Sequence, residues 1–266
     1  MPIKTTACVD KSAEIDSTAS IGAYAIIEAG VKIGPNTQVF PHAYISEGTT
    51  IGERCQIHPF AVVGHHPQDV KWDGAPSYTV IGDGVVIREG AQVHRGTEPD
   101  STTRIGNRVY MMANSHVAHN CTIDEEVIIA NGALLSGHIH VGPKAFISGN
   151  VVIQQFARIG ELAMLGGGIR IPNDVPPFMM VVPEGVVGVN LVGLRRAGMS
   201  REERQELRKA YKTLFRTDRP FKDVVAEVVE TMQTEPGRRL AEFLKAPSNR
   251  GVMRYRGRSD ASESGE

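Results

Sequence analysis

From Val9 to Ile171 the sequence repeats every six residues, and few folds accept that period. Aliphatic residues or Met stand at positions 9, 15, 21, 27, 33, 39, 45, 51, 57 and 63. They resume at Ile81, Ile87 and Val93, then recur at every sixth position from Ile105 to Ile171. Four places after each anchor comes a small or β-branched residue, as in Ala19, Ala25, Val31, Thr37, Cys55, Ala61, Ser115, Cys121 and Ala133. A helix needs a period of about 3.6 and an ordinary strand a period of about 2. Six suits one short strand and one turn per repeat, which is the pattern of a parallel β-helix. Three hexads close a triangular coil of 18 residues, with anchors inward and small residues letting the chain pass the corners. Stacked coils lie about 4.8 Å apart, so residues 18 apart in sequence become axial neighbours. Each coil touches only the next, and both ends need caps.

Two stretches break the register, 64–80 (GHHPQDVKWDGAPSYTV) and 96–104 (GTEPDSTTR). Insertions in a solenoid project from one face, often the binding face. After Pro176-Pro177 the hexads stop, and Ser200-Arg201-Glu202-Glu203 forms a capping box. Helices are expected from there to about 217, over 221–233 and over 236–245, presenting Arg195, Arg196 and Arg201 to a neighbour. The expected organisation is therefore a β-helix over 1–190, a small α-helical cap over 191–255 and a disordered tail over 256–266.

A net charge of −1 gives no basic surplus for nucleic acid. Cys8, Cys55 and Cys121 are odd in number and widely spaced, and two of them occupy the small-residue place of the hexad. They read as packed, reduced thiols. With no apolar leader and no apolar segment of 18 residues, the expectation is a cytoplasmic protein without a membrane span.

Seven of the nine histidines lie between His65 and His140. The hexad already fills the core, so these imidazoles point outward or into turns. Adding 18 to His119 gives Gly137 and then Gln155, and the adjacent column reads Asn120, His138, Phe156. His119 and His138 should therefore meet on neighbouring coils, with Gly137 leaving room and a bare backbone N–H beside them. His116 lies on the same coil as His119. A histidine near its ordinary pKa of about 6.5 can take a hydroxyl proton at neutral pH. No Ser–His–Asp set is recognisable, so direct attack on a donor is simpler than a covalent acyl-enzyme. Three outward histidines could alternatively hold zinc, as in a carbonic-anhydrase-like hexapeptide-repeat enzyme, although no metal is expected.

The most specific segments are Pro67-Gln68-Asp69-Val70-Lys71, Ile87-Arg88-Glu89, His94-Arg95-Gly96-Thr97 and Asn114-Ser115-His116-Val117-Ala118-His119-Asn120-Cys121. Leu135-Ser136-Gly137-His138, Gln155-Phe156, Gly188-Val189-Asn190, Gly193-Leu194-Arg195-Arg196 and Ser248-Asn249-Arg250-Gly251 follow in order. With these segments the chain resembles the UDP-N-acetylglucosamine 3-O-acyltransferases that start lipid A biosynthesis. The resemblance implies a left-handed β-helix and a homotrimer with sites between subunits. It also implies transfer of a 3-hydroxyacyl group from acyl carrier protein to the sugar 3-hydroxyl. No cofactor is expected beyond the phosphopantetheine that the donor brings. By the same resemblance His119 is the general base and Gly137 N–H faces the oxyanion. Gln68, Asp69 and Lys71 engage the sugar nucleotide or donor, and His116 and His138 line the sugar and diphosphate site. Gln155, Asn190 and Arg196 reach the nucleotide, and Gly167 falls where acyl length is measured. The sequence departs from the pattern at Gln154, where a His is usual, at Val192, where an acidic residue is common, and at Ala197, where a second Arg is common. The segment between Pro177 and Gly188 is short and lacks a family histidine. A 3-amino UDP-sugar therefore stays open as acceptor.

Overall fold

A computed structural model describes residues 3–254, so the tail expected over 256–266 lies outside the described residues. The hexads form a three-sided parallel β-helix. The first sheet holds nine strands, from Cys8–Val9 to Arg170–Ile171. The second holds eight, from Glu14–Ile15 to Arg158–Ile159. The third begins at Ser20–Ile21 and takes in the hairpin Met179–Val182 and Gly185–Val189. Register follows the 18-residue arithmetic: Cys8 pairs with Ile26, Ser20 with Gln38 and His116 with Leu134. The anchors are inside, with Ile45, Ile57, Val93, Val117 and Ile147 fully buried.

The turn itself is made at most corners by the residue three places after the anchor. Tyr24, Asn36, His42, Phe60, Asn114, Asn120, His138, Asn150 and Phe156 all have φ between +56° and +66°. The small residue that follows, such as Ala25 or Cys121, is fully buried at the corner. Left-handed backbone disfavours residues with a Cβ, and Asn and His are among the more tolerant. One strand pair, one left-handed residue and one buried small residue make up the six-residue unit.

Both interruptions leave from one corner. The first connects Val62–His65 of the first sheet to Tyr78–Ile81 of the second. The second connects Gln92–His94 to Thr102–Ile105 across the same two sheets on the next coil. Val62 pairs with Gln92 and Thr79 with Thr103, offsets of 30 and 24 instead of 18. The extra twelve and six residues thus stand out along the edge between the first and second sheets.

Beyond the solenoid come α1 (Leu191–Arg196), α2 (Arg201–Phe215), α3 (Phe221–Thr231) and α4 (Glu235–Lys245). Three were anticipated; α1 and the hairpin were not, because neither carries a hexad or a long helical period. The capping box at Ser200 and Glu203 is present, with both reciprocal bonds made. An ion pair to a buried carboxylate latches the cap to the coils. Asp174, fully buried, accepts from Arg158 Nε at 2.8 Å, and Arg158 also lies 4.3 Å from the Phe243 ring centre of α4. Met253 N–H donates to Asp174 O at 2.8 Å, bringing the C-terminal segment back to the coils.

Candidate active site

The corner shared by the first and second sheets carries the column Asn120, His138, Phe156. His138 N–H donates to His119 O at 3.0 Å, and Phe156 N–H to Gly137 O at 3.2 Å. His138 stacks on Phe156 with ring centres 4.8 Å apart and meets His119 edge-on at 5.2 Å. Gly137 lies against the His119 imidazole. A Cβ there would fall 2.6 Å from His119 Nε2 and closer still to Cε1, so the ring keeps its place only because the neighbour is glycine. Gly137 N–H has no acceptor among the described residues.

His119 is 4% exposed, and its tautomer follows from its partners. Asn120 Nδ2 donates to Glu98 Oε2 at 2.6 Å, which turns the amide oxygen toward His119. That Oδ1 also accepts from Thr97 N–H at 3.0 Å and lies 2.9 Å from His119 Nδ1. An amide oxygen can only accept, so Nδ1 carries a proton, and in the neutral ring Nε2 presents the lone pair. The nearest carboxylate to Nε2 is Asp69 Oδ2 at 3.8 Å, beyond direct hydrogen bonding. A base, a carboxylate and a free N–H therefore converge on one small volume, which is the equipment for removing a hydroxyl proton beside a developing oxyanion.

Histidines line the floor. His94, 5% exposed, holds His66 O through Nδ1 at 2.6 Å, and its ring centre lies 5.0 Å from that of His116. Burial, followed by repulsion from His94 and His119, pushes His116 down to about 4; His94 and His138 are lowered too, again chiefly by burial. In the unfolded chain these groups take protons near pH 6.5, whereas the fold resists. Stability is thus full above that pH and is lost as pH falls toward the folded value. Tm should decline between pH 6.5 and about 4, and His116→Asn should flatten that decline. A variant slope equal to the parent's would remove His116 from the account.

The other expected residues divide by place. Asp69 closes a short turn, its Oδ1 accepting Lys71 N–H at 2.9 Å, while the Gln68 and Lys71 side chains stand exposed on the first loop. Gln155 is exposed beside Phe156 on the edge that carries His119. Asn190, Arg196 and Gly167 lie elsewhere. Gly167 is at the corner between the third and first sheets, following Met164–Leu165. Asn190 caps α1 through Gly193 N–H at 3.0 Å and donates to Leu162 O at 2.8 Å, which ties it to the corner between the second and third sheets. Arg196 ends α1, exposed. Asn120, Glu98 and Thr97, which set the His119 tautomer, were not assigned from sequence. Their signal was proximity: Asn120 follows His119, and Thr97 and Glu98 open the second interruption.

The family model described as UDP N-acetylglucosamine O-acyltransferase, domain 2, matches residues 174–253, and the bacterial transferase hexapeptide model matches 30–65 and 102–137. An acyl-[acyl-carrier-protein]–UDP-N-acetylglucosamine O-acyltransferase of Alkalilimnicola ehrlichii is 43% identical over 95% of the chain and 99% of that protein. One from Synechocystis is 46% identical over 63% of the chain, spanning 62% of its own length. The crystal structure of the Francisella novicida UDP-N-acetylglucosamine acyltransferase superposes with a TM-score of 0.91 at 30% identity, covering all of both chains. That likeness gives the coil its left-handed sense.

Proposed function

The chain belongs to the UDP-N-acetylglucosamine O-acyltransferase family and is an acyltransferase; from that premise we propose its reaction and the residues that carry it. It transfers a 3-hydroxyacyl group from acyl carrier protein to the 3-hydroxyl of UDP-N-acetylglucosamine, opening lipid A biosynthesis. His119 Nε2 removes the hydroxyl proton as the oxygen attacks the thioester carbonyl. Gly137 N–H, free of other acceptors, stabilises the oxyanion. Collapse breaks the C–S bond, and the proton held on His119 passes to the departing phosphopantetheine sulfur. No cofactor of the protein's own takes part. The observation that carries this reading is the Asn120-held His119 with its bare Nε2 beside Gly137.

The working unit is a homotrimer. Outward positions on the first sheet include the apolar Ile26, Tyr44, Val62, Leu134 and Val152 beside Gln92, His116 and Arg170; those on the third include Val86, Tyr110, Ile128, Phe146 and Met164 beside Ser20, Gln38 and Gln56. Ile26, Leu134 and Val152 remain 40–43% exposed. The second sheet instead turns out Glu14, Lys32, Arg104, Thr122 and His140. Two adjacent apolar faces on every copy suit three copies about an axis, each first sheet covered by a neighbour's third. That arrangement brings the neighbour's corner between the second and third sheets, with Asn190 and Arg196, to the His119 edge. These residues then hold the nucleotide from across the interface, Gln68, Asp69, Lys71, His116, His138 and Gln155 bind from this side, and Gly167 lies at the interface where the acyl chain runs. No helix among the described residues is long and apolar enough to cross a membrane. The cytoplasm as site of the reaction is part of the proposal.

The test is to incubate the protein with UDP-N-acetylglucosamine, or its 3-amino analogue, and a panel of 3-hydroxyacyl carrier-protein thioesters. Mass spectrometry should find one acyl ester of UDP-N-acetylglucosamine, and light scattering a particle of three chain masses. No ester with any donor would sink the proposal.

A further inference from the structure

The first loop is fastened at both roots by two consecutive residues, Arg95 and Gly96. Arg95 is 4% exposed, and every arm of its guanidinium is used. Nε donates to Gly64 O at 2.8 Å, and one terminal nitrogen donates to Ser46 Oγ at 2.9 Å and Glu47 O at 2.7 Å. The other reaches Glu47 Oε1 at 3.4 Å. Arg95 N–H also donates to His65 O at 3.1 Å. At the far root, Ser77 Oγ donates to Gly96 O at 2.7 Å. Glu28 completes the support by accepting from Ser46 Oγ at 2.6 Å, from Glu47 N–H at 2.9 Å and from the Tyr44 hydroxyl. The neighbours on either side of this pair extend the fastening: His94 Nδ1 holds His66 O inside the loop, and Thr97 holds the Asn120 that orients His119.

The four-residue stretch from His94 to Thr97 is thus a bridge. One end grips the loop that carries Asp69; the other grips the amide that sets the His119 tautomer. We propose that Arg95 is a positioning residue for the acyl transfer, fixing the loop so that the Asp69 carboxylate faces His119 Nε2. The proposal rests on the roles given above to Asp69 and His119. Lysine would keep the charge but lose the fork that reaches Gly64 O and the chain at residues 46–47 together.

Two measurements on the intact protein test it, one of them independent of turnover. In the first, kcat/KM is measured for the parent, Arg95→Lys, Asp69→Asn and the double variant. Arg95→Lys alone should cost about tenfold, since small displacements in a site weigh heavily on rate. In the Asp69→Asn background the same change should cost less than about twofold, because both act through one carboxylate. Equal costs in the two backgrounds, or no cost in the parent, would overturn the proposal. In the second, amide hydrogen exchange over 65–78 should accelerate in Arg95→Lys while the coil strands stay protected; unchanged exchange would overturn it even if the substrate assignment failed. Should Arg95→Lys not fold, Ser77→Ala releases the other root and must give the same pattern in both measurements.

Discussion

His119→Ala should lower kcat by about 10³-fold, within the 10²–10⁴ range that a positioned general base supplies, while KM and the oligomeric state persist. The substitution removes the nitrogen proposed to take the acceptor proton. It leaves little else disturbed: Asn120 Oδ1 keeps Thr97 N–H and Thr97 Oγ1 as donors at 3.0 and 2.9 Å, so no buried amide is orphaned. The interaction lost is made only as the proton moves, so kcat and kcat/KM should fall together. Steady-state rates with the preferred donor, alongside Tm, check this. A variant turning over within tenfold of the parent would take the base away from His119.

Gly137→Ala should be nearly as damaging although it adds one methyl group. The new Cβ would stand 2.6 Å from His119 Nε2 and 3.0 Å from Nδ1, so the imidazole and the turn cannot both stay. If the ring rotates, it leaves Asn120; if the turn moves, the N–H leaves the oxyanion. Either displacement should cost about 10²-fold in kcat, with overpacking lowering stability by about 1–3 kcal/mol. Gly188→Ala is the matched control, since nothing lies within 4 Å of a Cβ there. A Gly137→Ala rate equal to that of the control would mean that the close approach has no catalytic role.

Much of this was legible because the period counts. Once six residues make a side and 18 a coil, His119, Gly137 and His138 must share an edge, and they follow both interruptions, where the offset is intact. The left-handed corners were less visible. Tyr24, Phe60 and Leu162 adopt positive φ without the chemistry that announces it, held there by the coils above and below. The His119 tautomer was hidden for a different reason. Thr97 and Glu98 belong to an irregular insertion whose offset no repeat predicts, so their bonds to Asn120 had no arithmetic. Asn190 shows the converse: its family pattern was readable, but that its amide caps α1 and ties to Leu162 depends on a helix the hexads do not encode.

The ladder in which each strand pairs with the one 18 residues later also sets an order of assembly. Almost every coil needs only the chain already made and the next short stretch, so contacts are local in sequence and favour fast growth. As the chain leaves the ribosome, coils can settle one upon another from the N-terminal end. The catalytic edge closes when the stretch bearing Gly137 and His138 lands on His119. The segment whose Met253 N–H donates to Asp174 O then folds back against the coils. Biogenesis can then proceed as a growing stack, with the segment around Met253 as its lid.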